Sequence, residues 1–169
     1  MMDLGGARKL VSERRYVEAA RLLDQLLAIE KENDGTWYLR GVVSLKMKNY
    51  NSAEEAFERA LWIKQKPEYW TMKGLSYMES VQFGEAVYCF EHSLKFDKKD
   101  VNVYVYMALC YMFLNDSRSR VYIQRAYLHN KKKTKELLKN FYASFFKNNP
   151  AINKKTNEMI GKKLDGIIE

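Results

Sequence analysis

Apolar and small residues recur along this chain three and four positions apart, and the whole pattern then repeats every 33 or 34 residues. Tyr16, Ala19 and Leu23 fall in register with Tyr50, Ala53 and Phe57, and then with Phe83, Ala86 and Phe90. Asp116, Ser119 and Ile123 continue the register more loosely. A small residue and a large apolar one four places later share one helix face, one turn apart. Small residues return at Ala60, Ser93 and Ala126, followed by Leu61, Leu94 and Tyr127, which lengthen the same stripe.

The stretch before each of these segments repeats as well. Trp37 and Gly41 match Trp70 and Gly74; Tyr104 and Ala108 follow, and Tyr111 matches Tyr77. Glycine inside a helix costs about 0.5–1 kcal/mol relative to alanine. A helix keeps a small residue there when another helix crosses directly above it. The pattern therefore predicts helix pairs over 3–12 with 16–30, 34–47 with 51–64, 67–80 with 84–96, and 101–114 with 117–129. The uncharged run 101–115 is shorter than the roughly 20 apolar residues of a membrane helix and reads as a buried helix of the stack. After Lys131, Lys132 and Lys133, Thr134 is expected to cap a helix reaching about residue 147, and Pro150 ends it. A last helix to residue 168 carries an apolar stripe of Ile152, Met159, Ile160, Leu164, Ile167 and Ile168. A unit this short cannot bury its apolar face alone, so copies must stack.

These residues resemble the tetratricopeptide repeat, whose pattern places Trp, Leu-Gly and Tyr on a first helix and Ala, Phe and Ala on a second. Trp37, Gly41, Ala53, Phe57 and Ala60 match it, as do Trp70, Gly74, Tyr77, Ala86 and Phe90. Three places depart from it. Arg40 and Lys73 stand where the pattern has leucine, the closing proline is largely absent, and the fourth copy is one residue short near Asn115. The resemblance implies an all-α fold, a right-handed α-α superhelix (solenoid) of stacked antiparallel helix pairs. Residues 1–130 would hold four repeats. Residues 131–169 would form a lysine-rich helix pair capping the array, with Ala143 and Phe146 as a degenerate fifth copy.

The same resemblance implies that the first helices of the pairs line an inner groove. By register its lining is Tyr38, Val42 and Leu45 from the second repeat, and Leu75 and Met78 from the third. The fourth adds Val105, Leu109, Met112 and Phe113. Some members grip a terminal carboxylate with basic and amide side chains. Leu4, Arg8, Leu39, Glu68 and Met72 stand at those places here, and only Arg8 has a suitable charge. The groove better suits an amphipathic helix or an apolar extended segment. The expected function is a non-catalytic scaffold or adaptor for protein–protein interaction, cytoplasmic, with a protein or peptide ligand and no membrane.

Composition sharpens the alternatives. Of the formal net charge of +8, the last 41 residues hold ten lysines against four acids, whereas the repeats are nearly neutral. Lys131, Lys132, Lys133 and Lys135 form the densest basic patch. It would serve a nucleic-acid-associated protein through salt-sensitive, weakly specific attraction. Self-association through the last helix pair is the third reading. No catalytic constellation, phosphate loop or metal-ligand spacing is visible, so no enzyme, cofactor or metal is expected. Cys89 and Cys110 read as buried reduced thiols, and His92 as solvent-facing. The first residues lack the apolar run of a secretory signal.

Overall fold

The computed structural model describes residues 3–145 together with Glu158 and Lys162. Among them are eight α-helices and no strand: α1 Leu4–Ser12, α2 Tyr16–Ile29, α3 Asp34–Lys46, α4 Tyr50–Ile63, α5 Pro67–Glu79, α6 Phe83–Phe96, α7 Val101–Phe113 and α8 Arg118–Phe145. The ends expected for the four helix pairs fall within one residue of these, except that the helix expected over 117–129 continues as α8 to Phe145 across a break at Asn130. The chain divides into two compact units, Met1–Lys98 with α1 to α6, and Lys99–Glu169 with α7 and α8.

The turn inside every pair is the same turn. Arg14, Lys48, Val81 and Asn115 all take a left-handed backbone, with φ of 59°, 59°, 67° and 54°. In each, the left-handed residue's N–H returns to a carbonyl three residues back, as from Lys48 to Leu45 at 2.9 Å, and the next N–H reaches five back, as from Asn49 to Ser44 at 2.9 Å. This double closure satisfies the orphan carbonyls of the first helix in the Schellman manner. The short fourth turn is explained by its hydrogen bonds. The N–H groups of Ala19, Ala53 and Ala86 bond four residues back, but that of Ser119 bonds only three back, to Asp116. A tighter 3₁₀ start thus absorbs the missing residue.

Side-chain size is matched across each crossing. Gly41 faces the ring of Phe57 and Gly74 that of Phe90. In the first pair Ala7 and Leu23 take the equivalent places, both fully buried in one cluster. Ala108 and Ile123 hold those places in the fourth and are also buried. Glycine meets an aromatic ring, and alanine a smaller aliphatic side chain.

The two replaced leucines are accounted for by charge. Arg40 on α3 binds Asp24 on α2 at 2.6 Å, and Lys73 on α5 binds Glu58 on α4 at 2.7 Å. These bridges join one pair to the next at equivalent positions, so polar side chains do what leucine does in the pattern. At the fourth equivalent place Met107 is fully buried.

In the first unit α1 touches α3 and α3 touches α5, whereas α2, α4 and α6 do not touch one another. The odd-numbered helices therefore form the closer, inner layer. In the second unit, α8 is interrupted at Asn130, whose φ of −163° and ψ of 94° are not helical. Asn130, not Thr134, caps the following stretch: its side-chain oxygen accepts from the Lys133 N–H at 2.9 Å. Thr134 is instead fully buried and donates to the Asn130 carbonyl at 2.8 Å. The expected last helix and its apolar stripe, with most of the expected cap, lie outside the described residues.

Candidate functional site

The inner layer of the first unit carries the candidate face. Of the groove residues expected there, Tyr38, Val42 and Leu75 are half-buried, and Met72 beside them is half-buried too. Leu45 and Met78 offer almost no surface, at 3% and 5% exposure. Leu45 packs with Ala53 and Phe57. Both lie in the last turn of their helix, where their carbonyls close the turn to the second helix, so they are core. Tyr38 is held in place by the Tyr69 ring, stacked at 4.7 Å, and by Phe57 at 6.1 Å.

Polar groups frame this apolar strip. Burial pushes the Tyr38 phenol up; the charge of Glu68 on α5 raises it further, and that of Arg8 on α1 opposes it. At the other end, partial burial raises the Glu79 carboxyl, while Lys46 and Lys48 oppose the shift. A tighter cluster ties α3 to α5 outside the strip. Asp34 accepts from the Tyr69 hydroxyl at 2.6 Å and pairs with Lys66 at 2.6 Å. The Lys66 ammonium and Tyr69 hydroxyl together hold the Asp34 carboxyl below its usual value. Met72 was named at a carboxylate-gripping place but not in the expected apolar lining, and this cluster was not expected. Tyr69 and Lys66 lie 35 and 32 residues from Asp34, one repeat away, so only their register could have suggested the contact.

In the second unit the register misjudged two residues. Val105 and Leu109 are 1% and 2% exposed and cannot be groove contacts. Nine of the thirteen α7 residues are buried. A helix apolar all round has no solvent face, and the missing polar stripe was the signal that both are core. Met112 is half-buried and borders an open hollow of about 890 Å³ with Ile123 and Tyr127. Phe113 is exposed at 39% and meets the Phe141 ring edge-on at 6.4 Å.

Lys131, Lys132 and Lys133 are exposed in the first turn after Asn130, and Lys135 is half-buried. Three lysines at a helix start oppose the helix dipole rather than complement it. His92 is not solvent-facing: it is half-buried, stacked on Trp70 at 4.5 Å and beside Tyr88 at 4.3 Å. Cys89 and Cys110 are buried, and burial pushes both thiols up to about 12. Among the described residues, no group of histidines, cysteines or acids is placed to hold a metal. No helix among them is long and apolar enough to cross a membrane.

The family model of the tetratricopeptide repeat matches residues 10–75. Over that stretch the chain consists of tetratricopeptide repeats. Solved structures of the same repeat fold agree. MamA from Desulfovibrio magneticus RS-1 is 15% identical, covers 97% of this chain and 90% of its own, and superposes with a TM-score of 0.73. Another crystal structure of MamA is 12% identical over 99% of this chain and 94% of its own, with a TM-score of 0.73. YrrB, a tetratricopeptide repeat protein with an unusual peptide-binding site, is 16% identical over 95% of this chain and 82% of its own, at 0.69. At these identities the likeness is one of fold. No curated protein matches the sequence. Tetratricopeptide repeats serve, in general, as scaffolds for protein interaction.

Proposed function

We propose that this chain is a non-catalytic adaptor that holds an apolar segment of another protein on the inner face of α1, α3 and α5. The observation that carries the reading is the pair Val42 and Leu75. They occupy equivalent places, one residue after Gly41 and Gly74, and both remain half-buried although their neighbours are sealed. Apolar side chains repeated at the same height on consecutive inner helices form a strip that a partner can cover. Tyr38 and Met72 flank it. An aromatic ring and a flexible thioether suit an interface, because one gives rigid area and the other adapts to shape.

Oxidative footprinting tests the reading. On binding the partner, Tyr38 and Met72 should lose reactivity, while Trp62 and Tyr88, exposed at 74% and 57% on the outer helices, should keep theirs. Protection confined to the outer helices would contradict it.

A further inference from the structure

The inner face is polarised. Arg8 on α1 and Lys46 on α3 are exposed cations; Glu68 and Glu79, both on α5, are exposed anions. None of the four joins an ion pair within 4.0 Å among the described residues, whereas Arg40 and Lys73 on the same helices are paired to the outer layer. The helices lie in the order α1, α3, α5. Crossing them thus leads from positive charge, over Tyr38, Val42 and Leu75, to negative charge. Tyr38 feels Arg8 from one side and Glu68 from the other, and Glu79 feels Lys46 and Lys48. Both ends of α3 therefore sit in the same gradient.

We propose that this face selects a bipolar peptide: acidic at the end over α1, apolar in the middle, and basic at the end over α5. The inference rests on the adaptor reading and adds the partner's chemistry. Packed helices lie roughly 8–10 Å apart, so α1 to α5 spans about 16–20 Å. An extended chain rises about 3.3 Å per residue and covers that distance in five or six residues. The acidic and basic groups of the partner therefore stand about that far apart, with alternate apolar side chains facing the strip. Charge at the ends gives specificity more than affinity; the apolar centre supplies the affinity.

Three fluorescent peptides with one shared apolar centre provide the test, the ends being acidic and basic, both acidic, or both basic. The full chain should prefer the bipolar peptide by about tenfold at about 0.15 M salt, and the preference should shrink at about 1 M. Arg8→Glu combined with Lys46→Glu should move the preference to the doubly basic peptide. Glu68→Lys combined with Glu79→Lys should move it to the doubly acidic one. All four positions are exposed, and circular dichroism checks each variant's fold. Equal binding of all three peptides to the parent would overturn the polarity and leave the adaptor reading standing. No binding of any peptide at millimolar concentration would overturn both. If the variants bind like the parent, the charges on these four residues do not select the partner.

Discussion

A Cβ placed on Gly74 would stand 2.6 Å from Cε1 of Phe90 and 2.8 Å from its Cδ1. No real contact is that short, so Gly74→Ala must displace the ring or part the two helices. We expect a loss of about 1–3 kcal/mol in chemical denaturation, the usual cost of overpacking. Phe90→Leu in the same chain should recover much of it, because it recreates the Ala7 and Leu23 crossing of the first pair. A double-mutant cycle with a coupling of about 1 kcal/mol or more supports size matching. Strict additivity would contradict it.

Val81 is the one β-branched residue among the four left-handed turn positions, and it is 69% exposed. The left-handed region costs such a residue about 1–2 kcal/mol, and asparagine tolerates it better. Asn115 already holds the equivalent place in the fourth pair. Val81→Asn should therefore raise the denaturation midpoint by the equivalent of about 0.5–1 kcal/mol. A lower midpoint would show that the Val81 side chain contributes contacts that outweigh its backbone strain.

Asp34 makes stability depend on acid. Its carboxyl is held below the ordinary value by Lys66 and Tyr69. A depressed folded-state pKa contributes stability that is present above the unfolded value near pH 4 and is lost as pH falls through the folded value. Asp34→Asn should thus be less stable than the parent at pH 7, and the difference should close as pH falls below about 4. A difference that stays constant over that range would show that the carboxylate charge is not what ties α3 to α5.

Much of this architecture is legible in the residues. Gly41 and Phe57, repeated as Gly74 and Phe90, identify both the crossing and the helices that make it. Helix ends follow because the turns recur in register. Three features escape for separate physical reasons. Asn130 and Thr134 are both cap-forming residue types, and only the backbone at Asn130 decides between them. Arg40 and Lys73 break the family pattern until their partners Asp24 and Glu58, on the preceding outer helices, are known. Register placed Val105 and Leu109 beside Val42 and Leu75, but register fixes the direction of a side chain and not what covers it. Val42 lies between Arg40 and Lys46, and Leu75 between Lys73 and Glu79, whereas the run around Leu109 carries no charge.

The adaptor reading is tested most directly by binding and melting measured together on Leu75→Asp, with Leu109→Asp as the core control. Leu75 is half-buried, whereas Leu109 is 2% exposed. An aspartate at Leu109 is an unpaired buried charge and should unfold the chain or cost several kcal/mol. An aspartate at Leu75 has water beside it and should leave the circular dichroism and the melting temperature near the parent's. It should nevertheless abolish binding of the apolar-centred probe peptide, since burying a leucine at an interface is worth about 1.5–3 kcal/mol and burying a charge there is unfavourable. A folded Leu75→Asp chain that binds the peptide with the parent's affinity would contradict the assignment of the inner face.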